Sequence, residues 1–387
     1  MMEASALTPS EDQTAVAVTQ PKREFFGALE SLRGLAALAV VLYHVPGWYE
    51  PFSRIGLARN GHAAVEFFFV LSGFVLYHSY GTRISGAGSF KRFVVLRLAR
   101  LYPVHFVFTI AFFAIELAKF FGGASLHVDS GNPPATLHSI LRALLENLIL
   151  VQGLGLAPRE IFLNFPSWSI STEFYTYLIF GAAVWLASRR SFIYFSIGMT
   201  ALCCVTLTLV GDRVGEFQQM LRCTGGFFLG CLTRIAYGKI NSWNTRVDWT
   251  GLMLVGTLIL LSLDWRGRTD TWQFAFPLSA CLVLSLVLSP DSKSARLLST
   301  RPFRWLGQIS YSLYMCHALV LYVARHLLSA LLKPAVSGAG PITSLSLAVA
   351  VYGLTFALVI GGGWVTFLLI ENPGKRWVKA LSSDNAR

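Results

Sequence analysis

The sequence predicts an all-α protein, polytopic in a membrane, with about ten transmembrane helices and both termini cytoplasmic. Three observations carry this. Of 387 residues, 54% are hydrophobic and only 13% charged, whereas a soluble globular chain is about 25% charged. Apolar runs of about 18 residues recur, the length a helix needs to cross a ~30 Å hydrocarbon core. The net charge is +12, and the basic residues fall mostly between the apolar runs, as orientation by positive inner loops requires.

Taken in order, residues 1–24 are polar and lack the apolar core of a signal peptide. They are expected to be a disordered cytoplasmic segment, with the first apolar run acting as an uncleaved signal anchor. Spans are expected near 33–49, 62–80, 102–121, 169–187, 192–211, 222–238, 249–264, 272–289, 308–332 and 345–369. The stretch 140–156, "ILRALLENLILVQGLGL", is ambiguous, because Arg142, Glu146 and Asn147 fall within two turns. Charge decides against a span there. With ten spans, 21 of the 32 lysines and arginines lie inside. An eleventh would turn Arg189, Arg190 and every later basic loop outward. Residues 140–156 are therefore read as an amphipathic or re-entrant segment, within an outer loop 122–168. Residues 374–387 form an expected cytoplasmic tail. There is no internal repeat and no second soluble domain, and nothing in the sequence sets the oligomeric state.

Several function classes are excluded. No basic stripe with interleaved aromatics lies on a polar segment, so nucleic acid is not a partner. Cys203, Cys204, Cys223, Cys231, Cys281 and Cys316 lie in or beside apolar runs without metal-ligand spacing. They read as small buried hydrophobes, with no metal site.

Ionisable residues inside a membrane are costly and mark functional sites. In the first span, Arg33, Ala37, Val40 and His44 share one helical stripe, with Glu30 one turn from Arg33 and able to pair with it. Arg33 at the inner surface puts His44 about 16 Å deeper at 1.5 Å per residue, just past mid-depth. In the ninth span, Ser310, Tyr314 and His317 share a face, and His317 reaches a similar depth. In the fourth, Ser169, Glu173 and Tyr177 share a face, with Glu173 one to two turns below the outer surface. The inner connection "FKRFVVLRLARLYP" predicts a short helix bearing Arg97 and Arg100 at i, i+3. Planar guanidinium forks suit phosphate there. Ser72–Gly73, central in the second span, reads as a close-packing point. Glu66, Arg222 and Arg325 lie in or near spans without an evident role.

The ordered pieces "LESLRGLAALAVVLYH", "FFFVLSGFVL", "RLARLYP", "PSWSISTEFYTY", "GQISYSLYMCH" and "IENP" span residues 25–373. Together the chain resembles the membrane-bound acyltransferase 3 family, which includes bacterial O-antigen, exopolysaccharide and Nod-factor O-acetyltransferases. The resemblance implies a ten-helix domain over 25–373 in the bacterial inner membrane. It implies transfer of an acyl group, usually acetyl, from cytosolic acyl-CoA to a hydroxyl on a glycan presented outside. No tightly bound cofactor is implied; acetyl-CoA is a substrate. His44 and Glu173 are the implied catalytic residues. Arg33, Arg97, Arg100 and Tyr102 are implied for acyl-CoA, and Trp168, Ser169, Ser310, Tyr314 and His317 for the acceptor pocket. Some relatives carry an esterase-like domain after the membrane part, and this chain reads as a form without it.

Two other readings were weighed against this one. The alternative acceptor is a small secondary metabolite such as a macrolide. A proton-coupled transporter also places histidines and a glutamate inside the membrane, but paired Gly/Pro-interrupted spans in corresponding halves are missing.

Overall fold

The computed structural model describes residues 27–45, 50–122, 132–156, 160–240, 247–263, 271–332 and 345–377. The expected N-terminal segment 1–24, parts of the outer loop (123–131 and 157–159) and the tail from 378 lie outside them. Every regular element among the described residues is helical. In chain order these are α1 (Gly27–His44), α2 (Glu50–Ser53), α3 (Gly56–Asn60), α4 (Ala64–Tyr80), α5 (Ala87–Gly122), α6 (Leu137–Leu148) and α7 (Trp168–Leu186). There follow α8 (Arg189–Val210), α9 (Gln218–Tyr237), α10 (Trp249–Ser262), α11 (Trp272–Leu288), α12 (Lys293–Leu298), α13 (Arg301–Leu332) and α14 (Leu345–Thr366). A π-helical turn, Phe367–Glu371, continues α14.

Ten of these helices overlap the ten expected spans. Five helical segments are long and apolar enough to cross a membrane: Gly56–Tyr80, Ala87–Gly122, Arg189–Val210, Arg301–Leu327 and Leu345–Trp377. Their outward faces carry exposed apolar side chains such as Leu202, Val205 and Leu209 on α8, as lipid-facing surfaces do.

α6 has 12 residues, a rise of about 18 Å, too short for the core. Its start is set by Thr136, whose hydroxyl accepts the Ser139 amide at 3.1 Å. The chain after it turns into the protein rather than outward. Ser171 Oγ donates to the Leu150 carbonyl at 2.5 Å, and the Gly153 amide donates to Ser171 at 3.0 Å. Irregular backbone is tolerated at such a place because protein groups satisfy it.

One element differs from expectation. The short arginine-bearing helix and the third span are a single 36-residue helix, α5, running through Pro103. Proline removes one backbone donor, leaving the carbonyl four residues earlier unbonded. The apolar stripe continues on both sides, with Phe93, Leu101, Val104 and Phe108 buried, so packing outweighs the loss.

Helices approach most closely where glycine faces backbone. A Cβ on Gly73 of α4 would sit 1.8 Å from the Phe227 carbonyl oxygen of α9, and one on Gly230 would sit 1.9 Å from that of Val70. The close packing expected of Gly73 is thus present, and it brings α4 and α9 together. On the other side of the bundle, Gly34 of α1 lies on Leu306 of α13, and Gly307 lies on the Glu30 carbonyl. The two contacts hold α1 and α4, both polar in one stripe, on facing sides of the space between them.

Candidate active site

That space is a cavity of about 110 Å³ walled by α1, α4, α5, α7 and α13. Arg33, Arg97 and Arg100 face it together. Among the described residues none of the three has a carboxylate within ion-pair distance. The expected Glu30–Arg33 pair does not close, although Glu30, Glu173 and Glu371 all lie within electrostatic reach of Arg33. Arg97 is steadied by Tyr80, whose hydroxyl accepts from Nη2 at 3.2 Å and whose ring lies 5.3 Å from the guanidinium carbon. Its Nε is buried with no partner. Three guanidiniums in one small, partly apolar space repel each other and leave N–H groups unsatisfied. Such a site is completed by an anion.

Higher in the same cavity, Glu173 and Ser72 meet across 101 residues of sequence: Ser72 Oγ donates to Glu173 Oε1 at 2.6 Å. The Tyr177 hydroxyl donates to the same oxygen and lies 3.1 Å from Ser72. The carboxylate is held by two hydroxyls rather than by a cation. Helical spacing aligns Glu173 with Tyr177 at i, i+4, whereas Ser72 comes from α4.

The upper end of the cavity is closed by Tyr314 and Ser169, whose hydroxyls are 2.9 Å apart and both lie against the Pro166 carbonyl. His317 sits one turn further along α13. Its ring centroid is 5.2 Å from that of His44, and Phe165 covers both, at 4.6 Å from His44 and 5.7 Å from His317. Each Nδ1 lies against a backbone carbonyl, His44 on Val40 at 2.9 Å and His317 on Tyr314 at 2.5 Å. A carbonyl only accepts, so each Nδ1 carries the proton. A neutral ring held this way presents its Nε2 lone pair, the arrangement a general base needs.

The residues singled out from sequence therefore divide. Arg33, Arg97, Arg100, Glu173, Ser169, Ser310 and Tyr314 line one cavity. His44 and His317 pair just beyond its upper end. Trp168 lies to the side, its ring 5.8 Å from the Arg222 guanidinium carbon. Tyr102 is not at the cavity. Its hydroxyl donates to the Leu148 carbonyl at 3.0 Å and its ring stacks on Phe106, which ties α5 to α6. Sequence reasoning did not assign Ser72, Tyr80 or Phe165. A serine beside a glycine in an apolar run reads as packing, and only a glutamate 101 positions away reveals otherwise.

A family model described as an acyltransferase domain matches residues 26–366. The chain belongs to the acyltransferase 3 family. It is 23% identical over 327 residues to a putative peptidoglycan O-acetyltransferase, YrhL, of Bacillus subtilis, covering 78% of this chain and 49% of that one. It is 22% identical to the peptidoglycan O-acetyltransferase OatA of Listeria monocytogenes, covering 77% of this chain and 50% of that one. Acyltransferase MdmB of Streptomyces mycarofaciens is 27% identical, with 93% of this chain and 95% of that one covered. The chain thus spans about half the length of the first two relatives. No solved structure matches it.

Proposed function

We propose that the protein moves an acyl group, acetyl by preference, from cytosolic acyl-CoA to a hydroxyl of a glycan presented at the outer side of the bacterial inner membrane. One observation carries this reading: three arginines without an ion-pair partner among the described residues share a cavity whose far end meets a pair of histidines. Arg33, Arg97 and Arg100 hold the donor's phosphates, and the thioester lies toward Tyr314. His44 Nε2 takes the proton of the acceptor hydroxyl, whose oxygen attacks the thioester carbonyl. The C–O bond forms, the C–S bond breaks, and the thiolate regains a proton from the imidazolium. The Val40 carbonyl keeps the His44 tautomer correct throughout. Neither substrate crosses the membrane. The relatives named as peptidoglycan O-acetyltransferases support a glycan acceptor.

A second acceptor class is favoured by a different observation. MdmB, named as an acyltransferase, is matched over nearly its whole length, whereas the two peptidoglycan O-acetyltransferases are matched over about half of theirs. The alternative acceptor is a small secondary metabolite such as a macrolide.

The test uses membrane vesicles carrying the protein together with its native acceptor, supplied with radiolabelled acetyl-CoA. Label enters non-protein material with wild type, and His44→Ala lowers the rate by about 10²–10⁴-fold. Equal labelling by the two, or none by either, overturns the reading. Extracting the labelled product distinguishes polymeric glycan from a small molecule.

A further inference from the structure

Away from the arginines, the buried side-chain atoms that lack partners are mostly acceptors. Three of them are Glu66 Oε2, Asn164 Oδ1 and His317 Nε2. Glu66 and His317 are 0% exposed and Asn164 is 2% exposed. Their roles do not depend on how an amide is oriented. Asn164 Nδ2 donates to the Met315 carbonyl at 3.3 Å, so Oδ1 is the free atom. His317 Nδ1 is already spent on Tyr314. Glu66 Oε1 is taken by Arg222, from both Nε and Nη2, which leaves Oε2 open.

A short turn, Phe165–Ser167, connects these atoms. Asn164 precedes it. Its first ring, Phe165, lies on His44 and His317. Trp168 follows it and lies beneath Arg222, which holds Glu66. His62 closes the arc: its ring is 5.1 Å from Tyr43, and it interacts electrostatically with Glu66, Arg222 and His44. A buried acceptor without a donor is costly. A phosphate or carboxylate brings only more acceptors. A ligand with several hydroxyls brings donors and no charge, and the flat C–H faces of its ring suit Phe165 and Trp168.

We propose that Glu66 and Asn164, with His317, form the subsite for the acyl acceptor, and that this subsite takes an uncharged polyhydroxylated ring. This rests on the transfer reading above. Asn164 and His317 hold the hydroxyl to be acylated at His44, and Glu66 holds a neighbouring hydroxyl. Arg222 acts through Glu66 as a positioning residue.

The experiment uses the vesicles described above and counts label in two products, the acylated acceptor and free acetate. Asn164→Leu lowers transfer by about tenfold or more, as expected when a site loses a hydrogen bond to a substrate hydroxyl. The KM for acetyl-CoA stays within about twofold, and the ratio of acetate to acylated acceptor rises, because water enters where the acceptor was held. Glu66→Gln weakens transfer with the same unchanged donor KM. An unchanged product ratio, or a donor KM that rises in step with the loss of transfer, overturns the proposal. A further measurement needs no variant. In wild type, methyl N-acetylglucosaminide at millimolar concentration competes with the native acceptor, and its per-O-methyl ether does not. Equal effects of the two overturn the proposal. If wild type labels nothing at all, the transfer reading itself falls.

Discussion

The two ends of the site are complementary in their deficits. At the arginine end, three guanidiniums face a cavity without a carboxylate at ion-pair distance among the described residues, and Arg97 Nε has no partner. At the histidine end, the buried unpartnered atoms of Glu66, Asn164 and His317 are acceptors. A protein balances its buried donors and acceptors unless something else is to complete them. Under the proposed reading, the lower end takes a ligand that brings acceptors and negative charge, and the upper end one that brings donors. Tyr314 and Ser169, hydrogen-bonded to each other, are where the proposed reading has the two ligands meet.

The largest break in this comparison comes from removing the lower charges. Replacing Arg97 and Arg100 together by alanine raises the KM for acetyl-CoA on the order of 100-fold, since each charge-assisted hydrogen bond contributes about 1.5–3 kcal/mol. The acceptor KM is unchanged, and lysines at both positions restore only part of the loss because they lack the planar fork. Steady-state kinetics against each substrate checks this, and equal rises in both constants would remove the distinction between the ends. Gly73→Ala breaks both ends at once. Its Cβ would meet the Phe227 carbonyl at 1.8 Å, forcing apart α4 and α9, which carry Ser72 and Glu66 on one side and Arg222 on the other. A loss of about 1–3 kcal/mol is expected for such overpacking, read as a lower melting temperature in detergent with both KM values altered.

Two smaller changes sharpen the comparison by leaving it intact. Tyr102→Phe deprives the Leu148 carbonyl of its donor and lowers stability by about 1 kcal/mol, while the KM for acetyl-CoA stays at its wild-type value. A raised KM would return Tyr102 to the donor site. Asp248→Ala removes the cap of α10, where the carboxylate accepts the Gly251 amide at 2.9 Å and the Ser294 amide at 3.0 Å. Slight burial pushes this carboxyl up, but the hydrogen bonds from Gly251, Ser294 and Ser292 outweigh it and hold it below its usual value. A depressed carboxylate stabilises the fold above its unfolded pKa and loses that contribution as pH falls through the folded one. The variant therefore melts lower than wild type at neutral pH, by about 1 kcal/mol or less, and the gap closes below about pH 4. A gap that persists in acid would assign the effect to something other than the cap's charge.

Much of this was legible in the chain. Arg33 and His44 share a stripe by spacing, and so do Ser169 and Glu173; helical geometry transfers such local patterns directly into the structure. The doubtful stretch 140–156 was read as non-spanning from the basic loops that follow it, and α6 is short. What failed to read correctly did so for physical reasons. Arg97 and Arg100 were placed on a short inner helix separate from the third span, yet buried contacts carry α5 through Pro103. Tyr102 was grouped with its arginine neighbours, but at one or two residues' remove a helix turns a side chain to a different face, here toward Leu148.

The sequence by itself determined the all-helical class, the positions of the long helices and the stripe on which each polar residue stands. These follow from hydrophobic period and charge, which act over a turn or two. Only the tertiary structure decided which stripes meet. Ser72 and Glu173 are 101 residues apart, and Arg222 and Glu66 are 156 apart. Their pairing is set by where glycines let backbones touch, and a contact between distant segments leaves no periodic trace in either one.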